Sequence, residues 1–311
     1  MSADKMWNYF QILSTDPIII VRSIKLGQYL IENLPDRPVT HWALIPFYLT
    51  NKNVITDDAD SFKKERPDDT IYYFYNDEST YHHLRNKGLN LIGSPLESMF
   101  DLDSLSIKED IEKEFDALMI ARSVPLKRIE LSEQIKSLRI LTSIKDQEYY
   151  DKLKIIFGDR IVAERLNKSE MNIIYNKAKT GLCLSSSEGA QRSAMEQQMA
   201  GVPLVCTTSK GGRGRFINVE TCLIVPPDPY CVEKGVEHLI SLKFDPQFVR
   251  DIMLKKVGEY RMEILNLGES IMNKHGSYDF AAKIHPIMKK HHSISTWCNS
   301  IETKIKELYV D

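Results

Sequence analysis

The sequence predicts an α/β protein in which short buried strands alternate with helices. From Phe115 to Leu242, apolar runs of strand length alternate with stretches of helical periodicity; examples are FDALMIAR, LRILTSI and GLCLSS. Strands that are apolar along their whole length are typical of parallel sheets covered by helices on both faces. The chain has 311 residues, which is more than one compact core usually holds. We therefore expect two α/β domains.

We place the domain boundary near residue 110, in the polar segment LDSLSIKEDIEK. In the N-terminal domain, residues 1–110, strands are predicted in DPIIIVRSI, THWALI and DTIYYFYN, and helices in IKLGQYLIENL and STYHHLRNKG. The charged segment ITDDADSFKKERPDD is predicted to be a surface loop. The second domain is expected to span residues 111–280, and residues 281–311 to form a helical segment that packs back on the first domain.

Between Phe115 and Leu242, five segments are predicted to be helical. They are PLKRIELSEQI, DQEYYDKLKIIF, SEMNIIYNKA, EGAQRSAMEQQMAG and PYCVEKGVEHLISL. Ser169 is the expected N-cap of the third, because a serine side chain can accept a hydrogen bond from the first turn. The fourth is predicted to begin directly after the strand that ends at Ser187.

Composition excludes several classes of function. The net charge of −2 gives no reason to expect a nucleic-acid partner. The five cysteines include no CxxC pair, a usage typical of reduced, cytoplasmic proteins. The N-terminus does not resemble a signal peptide, and no apolar stretch approaches the roughly 18–20 residues of a membrane span. We expect a cytoplasmic protein without a transmembrane segment, for which peripheral membrane contact stays open.

The segment Ser185–Val205, SSSEGAQRSAMEQQMAGVPLV, combines features of a phosphate site. A strand ends, a turn contains Glu188 and Gly189, and a helix follows. Ligands of open parallel sheets bind beyond the carboxyl ends of the strands. Gly189 would let a ligand approach the backbone, and the amides at the start of the helix would bind an anion. Taken alone, the residue types of this turn are equally consistent with a turn that has only a structural role.

The context of this turn resembles the Glu-x7-Glu motif of the retaining GT-B glycosyltransferases, the group 1 or family 4-like enzymes. Glu188, Gly189, Glu196 and the following Met-Ala-Gly-Val-Pro-Leu-Val fall in register with that motif. TSKGGRGRF resembles the family's Gly-Gly loop, and CLIVPPDP its Leu-Val-Pro-Pro segment. ARSVPLKR resembles its Arg-x4-Lys element, with Arg122 and Lys127 in the two basic positions. The resemblance covers about residues 115–242.

The resemblance implies a GT-B fold of two Rossmann-like domains, with the donor site in the C-terminal one. Glu188 would contact the sugar of a nucleoside-diphosphate sugar, and Glu196 its ribose. Arg122 and Lys127 would hold the diphosphate, and the donor-binding residues would include Gly189, Ala190, Gln191, Gly212 and Arg213. The transfer would be retaining and independent of metal or cofactor, and its acceptor would be a glycan or a lipid-linked saccharide in polysaccharide biosynthesis.

The N-terminal half departs from the family pattern. It is short and lacks a Gly-rich loop after its first predicted strand, so its competence to bind an acceptor is an open question. His41 and His82 are weaker candidates for a histidine of that domain, and Arg215 for a further contact to the donor. Two alternatives stay open for the whole chain: a non-catalytic module that binds nucleotide sugars, and a sugar-nucleotide epimerase.

Overall fold

The computed structural model describes residues 10–45, 52–99, 102–284 and 301–309. The chain divides into two compact units, one of Met1–Asp101 with Val257–Asp311 and one of Leu102–Lys256. The first boundary therefore lies about eight residues before the one expected at residue 110. The second lies inside a long helix, before the expected limit at residue 280.

The first unit is built on a five-stranded sheet with the strands side by side in chain order. Its strands are β1 (Phe10–Thr15), β2 (Ile18–Ser23), β3 (Val39–Leu44), β4 (Thr70–Phe74) and β5 (Asn90–Ile92). β1 and β2 are antiparallel, whereas the other neighbouring pairs are parallel. The sequence analysis predicted neither β1 nor β5. β2, β3 and β4 lie in the segments that were predicted to be strands.

The segments between these strands contain the helices α1 (Gly27–Asn33), α2 (Asn53–Glu65) and α3 (Glu78–Arg85). The prediction of a surface loop over ITDDADSFKKERPDD was wrong, because most of that segment belongs to α2. Ile55 and Phe62, seven residues apart, are buried on one face of α2. Asp58, on the same face, pairs with the buried Arg22 at 2.7 Å. The sequence analysis missed this amphipathic face because many of the other residues in the segment are charged.

The second unit is built on a six-stranded parallel sheet. Its strands are β6 (Phe115–Ser123), β7 (Leu138–Ile144), β8 (Ile161–Ala163), β9 (Ala178–Cys183), β11 (Leu204–Thr207) and β13 (Cys222–Val225). Two short strands, β10 (Ser187–Glu188) and β12 (Lys210–Gly211), pair with each other outside it. Among the described residues, the main core of this unit combines strand residues with the inner faces of the helices. These strands overlap the predicted strand segments, although β9 begins at Ala178, three residues before the predicted segment GLCLSS.

The strand order β13-β11-β9-β6-β7-β8 contains a reversal of direction. From β6 the chain proceeds outward through β7 to β8, and it then returns to β9 on the other side of β6. The carboxyl ends of β6 and β9 therefore flank a topological switch point. In doubly wound sheets, ligands bind in the crevice at such a point.

The helices of this unit are α4 (Gln147–Phe157), α5 (Lys168–Asn176), α6 (Arg192–Met199) and α7 (Pro229–Ser241). The N-cap of α5 is Asn167 and not Ser169, because Asn167 and Glu170 form a reciprocal capping box. The segment PLKRIELSEQI does not form the predicted α-helix. It contains two 3₁₀ segments, separated by Arg128 in the left-handed region at φ 49°.

The C-terminal part begins with α8 (Pro246–Lys274), which passes from the second unit into the first. Residues 280–284 and α9 (Ile301–Lys306) are also helical, and residues 285–300, part of the predicted helical end, lie outside the described residues. Beyond α9, the Leu308 carbonyl accepts a hydrogen bond of 2.9 Å from Arg37. Within the described ranges, no helix is long and apolar enough to cross a membrane.

Candidate functional site

Lys127 and Glu188, predicted from separate parts of the sequence, are in contact. The Lys127 ammonium forms a short ion pair with Oε1 of Glu188. Lys127 follows the carboxyl end of β6, and Glu188 follows that of β9, so the pair lies at the switch point of the sheet. The side chains of both are only 9% exposed. Ser185 donates a further hydrogen bond of 2.7 Å to the same Glu188 oxygen.

The turn that carries Glu188 differs from its predicted form. Ser187 and Glu188 form the two-residue strand β10, which pairs in parallel with β12. α6 begins only at Arg192, so the expectation that a helix starts directly after Glu188 was wrong. Pairing with Lys210 and Gly211 holds Glu188 in an extended conformation, which a helix would not allow. The glutamate therefore extends from the sheet edge and is not part of the helix.

Glu196 lies on α6 and is anchored by Tyr175, a residue at the end of α5. The buried Tyr175 hydroxyl donates a hydrogen bond of 2.6 Å to Oε2 of Glu196. Burial first, and the nearby carboxylate second, raise the pKa of the Tyr175 hydroxyl well above its usual value. The tyrosine stays protonated and acts as a donor that orients Glu196.

Glu188 and Glu196 are each held by the protein through one of their two carboxylate oxygens. The hydrogen bonds that Glu188 accepts from its described neighbours end on Oε1, and the one accepted by Glu196 ends on Oε2. In each carboxylate the second oxygen accepts none from the described residues. An ionised carboxylate has about four acceptor positions, so each can bind ligand hydroxyls while it remains anchored.

Arg213, predicted to contact the donor, is buried and binds the protein backbone. Its guanidinium donates to the carbonyls of Cys183 at 2.7 Å, Ser185 at 3.2 Å and Thr207, the last in a short contact. Only 4% of the residue is exposed. These contacts tie the carboxyl ends of β9 and β11 together beneath the turn that carries Glu188.

Arg128 is a second arginine at this edge, and the sequence analysis did not select it. It donates to the Leu184 carbonyl at 2.7 Å, to Oγ1 of Thr207 at 2.7 Å and to the Thr208 carbonyl at 2.8 Å. Burial, followed by the positive charge of Arg213, lowers the pKa of its guanidinium. Two cations thus lie below the turn.

The remaining predicted donor-site residues lie in the loops around this edge. Arg122 is at the end of β6, one residue before the strand ends. Gly189, Ala190 and Gln191 connect β10 to α6, and the buried Gln191 has a side-chain Oε1 without a hydrogen-bond partner among the described residues. Gly212 and Arg215 belong to the 3₁₀ segment that also contains Arg213.

The two candidate histidines belong to the first unit. His41 is fully buried on β3, with Nδ1 accepting from Arg22 at 3.1 Å and Nε2 donating to Asp69 at 2.9 Å. Burial, opposed by the Asp69 hydrogen bond, lowers the pKa of His41 to about 4. Both ring nitrogens of His41 are engaged by other side chains inside the fold. His82 is exposed on α3.

The sequence analysis missed three residues that shape the site: Tyr175, Ser185 and Arg128. Ser185 lies in the selected segment, three residues before Glu188, and this spacing could have suggested the contact. Tyr175 is 21 positions from Glu196 and is predicted only as part of a helix face. No group of three or more His, Cys, Asp or Glu side chains could hold a metal ion in the part of the chain that the structure describes.

The chain matches no protein-family model and no curated protein. Its structure is similar to that of sucrose-phosphate synthase from Thermosynechococcus elongatus, with a TM-score of 0.59 and 16% identity over 85% of this chain and 74% of that one. It is also similar to TarM, with a TM-score of 0.52 and 12% identity over 87% of this chain and 54% of TarM. The fold is GT-B.

The GT-B likeness extends to a mutant of S. aureus TarM solved in complex with fondaparinux, α-GlcNAc-glycerol and UDP. That match has a TM-score of 0.52 and 12% identity, and it covers 85% of this chain and 57% of the TarM mutant. This chain thus spans little more than half of TarM. At these identities the likeness is one of fold, which confirms the GT-B architecture that the sequence motifs implied.

Proposed function

We propose that this protein is a glycosyltransferase that moves a sugar from a nucleoside-diphosphate sugar to a saccharide or lipid-linked acceptor. The observation that carries the proposal is the ion pair between Lys127 and Glu188 at the switch point of the six-stranded sheet. A cation for a diphosphate and a carboxylate for sugar hydroxyls lie side by side where a doubly wound sheet binds its ligand. The GT-B fold supports the same class of substrate.

In this proposal each charged group of the site binds one part of the donor: the diphosphate, the sugar or the ribose. The Lys127 ammonium, with Arg122, stabilises the negative charge of the diphosphate as it leaves. Glu188 binds hydroxyls of the donor sugar, and Glu196 binds the two ribose hydroxyls. Both carboxylates retain an oxygen without a partner among the described residues. The uncommitted Oε1 of Gln191 is a further acceptor beside this loop.

We propose a role for Arg213 other than the donor binding that the sequence resemblance implied. Its guanidinium is committed to backbone carbonyls, so we assign it to positioning the Glu188 turn and not to direct contact with the donor. Arg128 acts in the same way from the other side. The positive charges of the buried Arg213 and the partly buried Arg128 also favour an anion at this edge.

The reaction we propose retains the anomeric configuration and needs no metal. The bond between the anomeric carbon and the diphosphate oxygen breaks as a bond to the acceptor oxygen forms on the same face. The acceptor hydroxyl gives its proton to the departing phosphate oxygen. Lys127 holds that oxygen's charge, so the protein need not supply a separate base.

The test is release of nucleoside diphosphate from a panel of UDP-, GDP- and ADP-sugars with saccharide acceptors. We expect one donor to be consumed, and a loss of at least a hundredfold in turnover for Glu188→Gln. Glu164→Gln, at an exposed glutamate of the same unit, is the control and should keep full activity. The anomeric configuration of the product, measured by NMR, tests retention.

Other outcomes separate the alternatives. Binding of a nucleotide sugar without turnover for any acceptor would favour the non-catalytic module. Conversion of the nucleotide sugar to its epimer without release of diphosphate would favour the epimerase. Turnover that is unchanged in Glu188→Gln would refute the assignment of the site.

A further inference from the structure

A cavity opens at the edge of the six-stranded sheet opposite to the one that holds Lys127 and Glu188. Its volume is about 150 Å³, and it lies wholly within the second unit. Lys113 precedes β6, Lys179 is the second residue of β9, and Pro203 directly precedes β11. In a parallel sheet these amino ends share one edge, which lies away from the carboxyl ends that hold Lys127 and Glu188. The cavity is therefore separate from the proposed donor site.

Three lysines line this cavity, and its lining contains no carboxylate. They are Lys113, Lys179 and Lys243. Lys179 is paired with Asp116 at 2.8 Å. Lys113 and Lys243 form no ion pair with any described residue. Lys113 is exposed to solvent, but the protein around it partly desolvates its ammonium and lowers its pKa.

The rest of the cavity wall is largely apolar. Leu239, Ile240 and Phe244 come from the end of α7 and the turn after it, and Pro203 and Pro246 complete the wall. On the same measure of volume a water molecule takes roughly 10–15 Å³, so the cavity has room for a molecule of on the order of ten heavy atoms. An apolar wall with convergent charged groups is the usual composition of a small-molecule site.

We propose that this cavity binds a small organic phosphomonoester, with its phosphate between Lys113 and Lys243 and its carbon skeleton against Phe244 and Leu239. Two ammonium groups without acidic partners match the charge of a phosphate dianion better than that of a single carboxylate. The apolar wall favours an organic ester over free phosphate, because phosphate alone would leave that surface in contact with water.

A simpler account is available for the same lysines. The cavity lies beside the C-terminus of α7, where the helix dipole stabilises positive side chains. That account explains Lys243, which follows the helix end directly. It does not explain Lys113, which lies in a different segment, before β6, and lines the same cavity. It also predicts no saturable binding, so the two accounts can be separated.

The test uses the full chain and isothermal titration calorimetry with phenyl phosphate as the probe. Inorganic phosphate and benzyl alcohol are the comparison ligands. We expect phenyl phosphate to bind at least tenfold more tightly than inorganic phosphate, and benzyl alcohol not to bind measurably. Phenyl phosphate that binds no more tightly than inorganic phosphate would overturn the assignment to an organic ester.

Two variants address the lysines separately. Lys113→Gln removes one ammonium, and Lys243→Asn removes the other with a residue that tolerates the positive φ of 49° at this position. We expect each to weaken phenyl phosphate binding at least tenfold, with an unchanged melting temperature. Lys136→Gln, at an exposed lysine of the same unit, is the control and should bind normally.

A third variant separates this proposal from the proposed transferase. Lys127→Gln should leave phenyl phosphate binding intact, and UDP, GDP or ADP should not displace the probe. Binding that is lost in Lys127→Gln, or displaced by nucleotide, would place the ligand at the other edge of the sheet and overturn the proposal. Absence of saturable binding by the wild-type protein up to about 10 mM, or binding that is equal in both lysine variants and the wild type, would do the same.

Discussion

Tyr175 at the end of α5 donates a hydrogen bond of 2.6 Å to Glu196 on α6. The tyrosine is fully buried, so its hydroxyl has no access to water and its orientation is set by the core. Glu196 is thereby held in one direction before any ligand binds. A carboxylate that is already oriented loses less conformational entropy when it binds a ligand.

Removing this hydroxyl should weaken donor binding more than turnover. Hydrogen bonds to charged groups contribute roughly 1.5–3 kcal/mol, so Tyr175→Phe should raise the donor KM or the nucleotide Kd about tenfold or more. The value of kcat should change little, because Glu196 lies on the ribose side of the proposed donor. Steady-state kinetics checks this, with Tyr230→Phe at a 59% exposed tyrosine as the control. A fall in kcat at constant KM would contradict the assigned role.

Lys127 is expected to act on both the ground state and the transition state. Lys127→Gln removes the cation opposite Glu188 and leaves Ser185 as the described partner of that carboxylate. We expect kcat/KM to fall at least a hundredfold, because negative charge develops on the leaving diphosphate. Lys136→Gln provides the control for loss of one positive charge. A neutral analogue of the donor should bind to the wild type and the variant with similar affinity. If the substitution weakened binding of the neutral analogue as much as binding of the nucleotide, the electrostatic explanation would fail.

Arg213 should matter for stability before it matters for activity. Arg213→Ala leaves the carbonyls of Cys183, Ser185 and Thr207 without their buried donor, and it leaves a cavity. We expect a loss of about 3 kcal/mol or more in the free energy of unfolding. Urea denaturation measures it, and Arg165→Ala at an exposed arginine should lose less than about 0.5 kcal/mol. Equal stability of the two variants would contradict the inferred role.

His41 should make the first unit sensitive to acid. In the unfolded chain its pKa is near 6.5, whereas burial lowers it to about 4 in the folded protein. Between these values the unfolded state binds more protons, so the free energy of unfolding falls as the pH is lowered from 6.5 to 4. The full effect is about 3 kcal/mol at roughly 1.4 kcal/mol per pKa unit.

The measurement for His41 is urea denaturation at pH 7, 6 and 5, with His41→Gln as the comparison. Glutamine can still donate to Asp69 but cannot become charged in this pH range. The nearby Asp58 and Arg22 remain in both proteins, so the difference in slope isolates the histidine. We expect a shallower dependence on pH in the variant. Identical slopes would show that His41 does not titrate as its burial implies.

The sequence predicted the second unit well because its strands carry a clear local signal. LRILTSI and FDALMIAR are predominantly apolar, and they coincide with β7 and most of β6. The order of the strands brings Lys127 and Glu188 together, since each lies in the segment that follows one of two neighbouring strands, β6 and β9. The sequence motifs and the sheet topology therefore indicate the same site, the switch point of the six-stranded sheet.

The first unit was less predictable because its signals depend on tertiary contacts. The charges of α2 suggested a loop, yet Asp58 is buried because Arg22 is available to pair with it. The β10–β12 pairing could not be predicted either, because it joins two-residue strands more than twenty positions apart. Local propensity contains no information about such partners.

The most direct test of the central claim is a thermal-shift titration of the full chain with UDP, GDP and ADP, comparing wild type with Lys127→Gln. The account predicts that one nucleotide raises the melting temperature of the wild type. At 100 times its Kd a ligand stabilises the folded state by about 2.7 kcal/mol. The shift should be much smaller in Lys127→Gln at the same concentration. No shift with any of the three nucleotides, or an equal shift in both proteins, would contradict the account.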